Sequence, residues 1–168
     1  MENLKRSDAQ IQNTNTFQAT PALVKEAVLN QVGINSKPKK ILVVDDEVIN
    51  RMVAKSLLED LGYEVDLADC GTKGLAMYHA DYCAVILDIG MPDIKGYEVS
   101  LKIRERENHY QRVPIIAATA YTLSEVQDQC FASGMDEVLS KPIAFEELKN
   151  TLGKWVQLSP RFQTQRST

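Results

Sequence analysis

Between residues 40 and 157, short apolar runs alternate with longer segments of helical periodicity, and this alternation limits the fold more than any other feature. The runs with the length and composition of strands are 41–44, 64–68, 84–87, 113–118 and 137–140. The first and third are continuously apolar, as parallel strands covered on both faces are. Strands that alternate with helices form a parallel sheet wrapped by helices. The pattern therefore predicts an α/β fold with a doubly wound, five-stranded parallel sheet.

Helical signals fill the segments between these strands. The predicted helices are marked by residues 49–61, 71–81, 95–107, 123–131 and 145–155. Gly62 and Gly134 are expected to end the first and fourth of them, because glycine favours the position after a helix. Phe145 and Trp155 are expected in the core. The charged run 104–107 is expected to face solvent.

The two ends of the chain differ in composition from this central part. Residues 1–36 form a polar extension in which Thr20, Pro21 and Gly33 are suited to the start and the end of a short amphipathic helix over 21–32. Residues 159–168 are polar and are expected to form a flexible tail. The main domain is expected to span residues 37–158.

Composition excludes several functional classes. Nineteen basic and 23 acidic residues give a net charge of −4, which argues against a nucleic-acid-binding surface. No apolar stretch approaches the roughly 20 residues that a membrane-spanning helix needs. The cysteines lack the paired spacing of a zinc site and are expected to be reduced thiols in the cytoplasm. They are Cys70, Cys83 and Cys130.

Polar side chains follow four of the five predicted strands. Asp45 and Asp46 follow the first strand, Asp88 the third, Thr119 the fourth and Lys141 the fifth. In doubly wound sheets, ligands bind beyond the carboxyl ends of the strands, where the strand order reverses. In the order 2-1-3-4-5, strands one and three are neighbours there. Their carboxylates are therefore expected to lie close together.

Three neighbouring carboxylates repel one another unless a cation compensates their charge. Hard oxygen ligands favour Mg²⁺. A lysine and a hydroxyl beside such an ion indicate phosphoryl chemistry, with Lys141 and Thr119 stabilising the phosphoryl oxygens. Asp88 stands alone at its strand end and is the candidate nucleophile, which would form an aspartyl phosphate.

Each of these residues also has a simpler explanation. Asp45 and Asp46 would suit the N-terminus of the first helix, where negative charge is favourable. Lys141 would serve as a surface charge, and Thr119 would simply end a strand. The joint occurrence of all of them at one sheet edge favours the chemical interpretation.

Four motifs occur in the order and spacing that resemble the receiver domains of two-component signalling systems, most closely those of hybrid sensor histidine kinases. They are Asp45-Asp46, Asp88-Ile-Gly-Met-Pro-Asp-Ile-Lys-Gly96, Ala118-Thr119-Ala120 and Lys141-Pro142. The resemblance covers residues 40–157 and implies the flavodoxin-like (βα)₅ receiver fold with strand order 2-1-3-4-5.

The resemblance also implies a role for each residue. Asp88 would accept a phosphoryl group from a phosphohistidine, and Thr119 and Lys141 would then move onto that group. Mg²⁺ would be bound directly by Asp46 and Asp88, mostly through water by Asp45, and by the carbonyl of Gly90. The family often has an aromatic switch residue three positions before the lysine, where this chain has Val138. That difference favours a phosphorelay role over a switch that remodels the surface.

The implied partners are a histidine kinase, a histidine phosphotransfer protein, or both, docking on the first helix and the loops around Asp88. A dimer through the fourth helix, fifth strand and fifth helix is a further option. The chain is expected to be a stand-alone regulator or the receiver of a longer hybrid kinase. Two alternatives are a phosphorylation-independent binding module with this fold, and a Mg²⁺-dependent phosphohydrolase. The hydrolase would need an Asp-x-Asp motif that neither 45–47 nor 88–90 supplies.

Overall fold

The computed structural model describes residues 39–108 and 112–158, and these residues form a five-stranded sheet flanked by helices. The elements are β1 (Lys40–Val44), α1 (Val48–Asp60), β2 (Glu64–Ala68), α2 (Gly71–Met77), β3 (Ala84–Asp88), α3 (Gly96–Arg106), β4 (Ile115–Thr119), α4 (Leu123–Ala132), β5 (Glu137–Ser140) and α5 (Phe145–Leu158). The predicted helix over 21–32 and the predicted tail over 159–168 lie outside the described residues.

All strand pairs are parallel and lie in the order β2-β1-β3-β4-β5, so the predicted fold class is confirmed. Alternate residues of β1 enter the cores on opposite faces of the sheet. Ile41 and Val43 pack with the buried side chains of α1 and α5, whereas Leu42 and Val44 pack with those of α2, α3 and α4. The strands are buried on both faces because both cores use them, which explains their continuous apolar runs.

Two predicted boundaries were wrong. The predicted strand over 113–118 begins only at Ile115, because the N–H of Val113 donates to the Glu107 carboxylate at 2.7 Å and Pro114 has no N–H to donate. The predicted helix over 71–81 ends at Met77, because the backbone of Tyr78 is extended. A contact therefore set the start of β4, and a backbone conformation set the end of α2, and neither is visible in the apolar pattern.

The structure also changes the interpretation of two aromatic residues and of one charged run. Phe145, expected in the core, is 37% exposed, and Trp155 is half-buried with its indole N–H donating to Glu137 at 3.2 Å. The charged run 104–107 does not simply face solvent. Arg104 is largely buried and pairs with Glu107 at 2.6 Å and with Asp136 at 2.7 Å, which joins α3 to the turn before β5.

The first half of α1 exposes the apolar stripe that marks this helix in the sequence. Val48, Ile49, Met52 and Val53 are between 46% and 71% exposed, whereas the helix packs on the sheet through Ala54 and Leu58. These four exposed side chains are called the α1 apolar face below. Within residues 39–108 and 112–158, every helix is too short or too polar to span a bilayer.

Candidate functional site

Three carboxylates meet at the carboxyl ends of β1 and β3, the neighbouring strands at the centre of the sheet. Asp45, Asp46 and Asp88 each offer an oxygen, and these oxygens lie within 4.8 Å of one another. Asp45 and Asp88 are buried, whereas Asp46 is exposed. The cluster therefore opens to solvent on one side, as a site that exchanges a ligand must.

Lys141 provides the positive charge within this cluster. Its ammonium lies 2.6 Å from Asp45 Oδ2 and 3.1 Å from Asp88 Oδ2, so a single cation bridges the ends of β1 and β3. Burial alone would lower the pKa of Lys141, but its hydrogen bond to Asp45 and the charge of Asp88 raise it above the ordinary value. Lys141 is therefore a fixed positive charge at neutral pH.

Thr119 is buried at the end of β4, one residue beyond the partner of Asp88 in the strand register. Its hydroxyl accepts a hydrogen bond from the N–H of Tyr121 at 3.0 Å, which leaves the hydroxyl proton available for another acceptor. The N–H of Lys141 donates to the carbonyl of Thr119 at 2.7 Å. The two residues are thus coupled through the backbone.

The loop after β3 approaches the Asp88 backbone closely. The N–H of Gly90 donates to Asp88 Oδ1 at 3.0 Å. At Gly96, an added Cβ would collide with the carbonyl oxygen of Asp88, so only glycine fits where α3 begins. This close approach of α3 to the end of β3 is the physical reason for the glycine that ends the Asp88–Gly96 motif.

Asp88 ionises less readily than an ordinary aspartate. Burial raises the pKa of its carboxyl, and the neighbouring Asp45 charge acts in the same direction. The N–H of Gly90 and the Lys141 ammonium oppose this rise. A carboxylate poorly solvated by water and close to a fixed cation has the character of a nucleophile that reacts with an approaching electrophile.

Two residues of α1 that the sequence analysis did not assign also hold the site. The Arg51 guanidinium donates to the carbonyl oxygens of Asp45 at 2.7 Å and Asp46 at 2.9 Å. The Asn50 amide donates to Asp45 Oδ1 at 3.3 Å. Both lie one turn into the helix that follows the aspartates, and this spacing is the sequence signal that would have indicated them.

An apolar cavity of about 180 Å³ lies beside the carboxylates, between α1 and the segment that follows Lys141. Its walls include Ile49, Val53 and Ile143, and its polar lining includes Asp88 and Lys141. The α1 apolar face continues from this cavity, since Ile49 and Val53 belong to both. An apolar surface thus leads directly to the charged cluster.

The donor set fits Mg²⁺. Carboxylate oxygens are hard ligands, and an ion held by only a few of them keeps several waters, which the exposed side of the cluster accommodates. Lys141 neutralises one of the three negative charges of the cluster, and a divalent cation would balance the remaining two. Asp45, Asp46 and Asp88 therefore form a group that could bind a metal ion.

The arrangement of fold and site corresponds to a known class, because residues 41–153 match the family model of the response regulator receiver domain. The chain belongs to this family and contains a signalling domain of the two-component type. The earlier identification of the family from its motifs is confirmed.

Similar proteins include hybrid kinases. The chain is 44% identical over 122 residues to hybrid signal transduction histidine kinase L of Dictyostelium discoideum, which covers 69% of the chain and 7% of that protein. It is 33% identical over 153 residues to probable histidine kinase 1 of Oryza sativa subsp. indica, which covers 73% of the chain and 16% of that protein. The chain thus spans only a small part of these relatives.

Solved structures share the fold. The receiver domain of the Pseudomonas aeruginosa sensor histidine kinase PA1611, which has a magnesium ion in its active site cleft, is 34% identical with a TM-score of 0.64. The match covers 71% of this chain and 98% of that one. Chemotaxis protein CheY4 of Vibrio cholerae is 31% identical with a TM-score of 0.64, covering 71% of this chain and 99% of that one.

Proposed function

We propose that this chain is a phosphoacceptor of a two-component or phosphorelay system in which Asp88 accepts a phosphoryl group from a phosphohistidine. The observation that carries the proposal is the bridge from Lys141 to Asp45 and Asp88. It combines a partly desolvated carboxylate, a fixed cation and further acidic ligands at one opening. Asp45, Asp46, Asp88 and the carbonyl of Gly90 would hold Mg²⁺, which when bound would neutralise charge on the phosphoryl oxygens.

In the proposed transfer, an oxygen of Asp88 forms a bond to phosphorus while the bond from phosphorus to the histidine nitrogen breaks. The electron pair of the broken bond stays on the imidazole nitrogen, and the three atoms lie in line. Lys141 stabilises the phosphoryl oxygens, and Thr119 donates its hydroxyl proton to one of them while still accepting the Tyr121 N–H. The domain would assist its own phosphorylation and dephosphorylation, without acting on a separate substrate.

We further propose that the donor docks on the α1 apolar face. A phosphohistidine on a folded partner must reach Asp88 through the open side of the cluster, and this apolar surface borders the opening. Several exposed apolar side chains grouped beside a charged site are typical of a protein interface. The partner would be a histidine kinase or a histidine phosphotransfer protein, in keeping with the hybrid kinases among the relatives.

Val138 supports a relay over an output switch. It lies three residues before Lys141 and is buried in the core beside β4, so no aromatic ring there can turn inward on phosphorylation. A cytoplasmic location and a dimer through the α4–β5–α5 face stay predictions from the family resemblance.

The first experiment tests phosphorylation itself. The full chain is incubated with Mg²⁺ and acetyl phosphate, and its intact mass is measured beside the Asp88→Asn variant. We expect one phosphoryl group on the wild type, and none on the variant or without Mg²⁺. If the wild type neither gains mass nor binds Mg²⁺, the proposal fails and a phosphorylation-independent binding module becomes the better explanation.

A second experiment tests the docking surface. Histidine phosphotransfer proteins are phosphorylated as a panel, and the fastest donor is used. Replacing Ile49 and Met52 together by serine should slow transfer about tenfold, since buried apolar side chains dominate binding energy at interfaces. Leu101→Ser is the matched control, because Leu101 is 48% exposed on α3. Equal transfer rates for both variants would refute the docking site, and phosphorylation by acetyl phosphate should be unchanged in each.

A further inference from the structure

The loop between β3 and α3 is tied to a distant part of the chain by one side chain, Asp93. Its Oδ1 accepts the N–H of Gly71 at 3.1 Å, and its Oδ2 accepts the N–H of Thr72 at 2.8 Å and the hydroxyl of Thr72 at 2.9 Å. Both partners belong to the first turn of α2, 22 and 21 residues earlier in the chain. These three hydrogen bonds are called the Asp93 clamp below.

The two segments joined by the clamp are also in close steric contact. An added Cβ at Gly71 would lie 2.5 Å from the Ile94 side chain, 2.9 Å from that of Val99 and 3.1 Å from the carbonyl oxygen of Ile94. Partial desolvation would raise the pKa of Asp93, but the N–H groups of Thr72, Ile94 and Gly71 hold it well below the ordinary range. The clamp therefore joins two close-packed segments through an ionised carboxylate.

The other hydrogen bonds of this loop are local. Gly90 donates to Asp88, Lys95 Nζ donates to the carbonyl of Met91 at 3.1 Å, and the N–H of Gly96 donates to the carbonyl of Ile89 at 3.4 Å. Among residues 39–108 and 112–158, the hydrogen bonds that tie residues 89–95 to an element other than β3 or α3 are those of the clamp. Without the clamp, the remaining hydrogen bonds of the loop would be those within it and those to β3 and α3 at its two ends.

We infer that Asp93 is a positioning residue for the magnesium site, which it serves by fixing the loop that carries Gly90. The inference rests on the proposed function, in which the Gly90 carbonyl is a ligand. Asp93 lies three residues after Gly90, and the buried Met91 lies between them, so a shift at Asp93 is transmitted to Gly90 over a short backbone. Residues that orient ligands affect metal affinity without touching the metal.

The test measures Mg²⁺ affinity of the full chain by calorimetry for the wild type, Asp93→Ala and Asp93→Asn. We expect the Kd for Mg²⁺ to rise about tenfold in Asp93→Ala, the usual scale for lost ligand support. The Kd of Asp93→Asn should lie between those of the wild type and Asp93→Ala, because the asparagine amide oxygen still accepts one N–H. Hydrogen exchange of the Gly90 and Met91 amides should accelerate in the same order.

Tyr82→Phe is the matched control. The buried Tyr82 donates a 2.7 Å hydrogen bond to Asp66 and lies just before β3, at the amino ends of the strands and therefore opposite the site. The Tyr82→Phe variant should lower the Tm but keep the Mg²⁺ Kd within about twofold of the wild-type value, since distant sites act independently. If Asp93→Ala lowers the Tm but keeps the wild-type Kd, the clamp is purely structural and the inference is wrong. If the wild type binds no Mg²⁺, the proposed function itself has failed.

Discussion

The two halves of the acidic cluster are anchored in different ways. The β1–α1 turn, with Asp45 and Asp46, is held by Arg51 of the helix that directly follows it. The β3–α3 loop, with Gly90, is held by the Asp93 clamp to α2, more than 20 residues away in sequence. The first anchor forms together with one helix, whereas the second exists only when α2 and α3 have packed.

This difference has a consequence for the site. A local anchor costs little chain entropy, because Arg51 lies only six and five residues after Asp45 and Asp46 in the chain, whereas a remote contact must offset the ordering of a long loop. The β3–α3 loop is therefore expected to respond more to changes elsewhere in the fold. The Lys141 ammonium connects the two halves, since it contacts Asp45 from one and Asp88 from the other.

The largest expected effect comes from removing this connection. Lys141→Ala should slow phosphorylation by acetyl phosphate about 100-fold or more, the usual loss when one preorganised donor to a developing charge is removed. Rates are measured from intact mass over time at saturating Mg²⁺. Lys141→Arg keeps the positive charge and should retain more activity than the alanine variant. Equal rates for the wild type and Lys141→Ala would exclude Lys141 from the transfer.

The placement of the main site residues at the strand ends was predicted well from the sequence. Asp45, Asp88, Thr119 and Lys141 each lie at or directly after the end of a strand, and parallel strands bring such positions to one edge. Most element boundaries followed from apolar periodicity, whereas the strand order was an implication of the family resemblance. These features depend on local pattern and on the general topology of parallel sheets, so no knowledge of particular side-chain contacts was needed.

Contacts between distant side chains could not be predicted. The charged run 104–107 has the composition of an exposed helix end, yet Arg104 is largely buried because Asp136, from the turn before β5, lies beside it. Asp93 was part of a quoted motif but had no assigned role, since its partners in α2 are known only from the fold. The exposed α1 apolar face has the same cause, because periodicity marks an apolar stripe without saying what covers it.

The second prediction concerns the local anchor. Arg51→Ala removes two hydrogen bonds to backbone carbonyls and should lower the free energy of unfolding by about 1 kcal/mol. The Mg²⁺ Kd should rise about fivefold, less than for Asp93→Ala, because Asn50 still holds Asp45. Chemical denaturation and calorimetry measure the two quantities.

Combining Arg51→Ala with Asp93→Ala tests whether the two anchors are independent. They act on different loops and share no contact, so their effects on the free energy of Mg²⁺ binding should add to within about 0.5 kcal/mol. A double variant no weaker than Asp93→Ala alone would show that the two loops move as one unit, and the contrast between the anchors would then be wrong.

The smallest expected effect is a difference in acid titration between the two carboxylates of the β3–α3 segment. Burial raises the pKa of Asp88, whereas N–H donors hold that of Asp93 below its ordinary range. The stabilisation linked to Asp88 is fully present below the pKa that Asp88 has in the unfolded chain, and it is lost as pH rises through the pKa of the folded state. The stabilisation linked to Asp93 is present above its pKa in the unfolded chain, and it is lost as pH falls through its pKa in the folded state.

On acidification without Mg²⁺, the Gly90 amide, which donates to Asp88, should therefore shift in NMR spectra before the Thr72 amide, which donates to Asp93. The clamp should stay closed while Asp88 takes up its proton. Asp88→Asn should remove the Gly90 transition and leave that of Thr72 in place. If both amides shift together in the wild type, the loop and its remote anchor respond as a single unit, and the clamp does not hold the loop independently of Asp88.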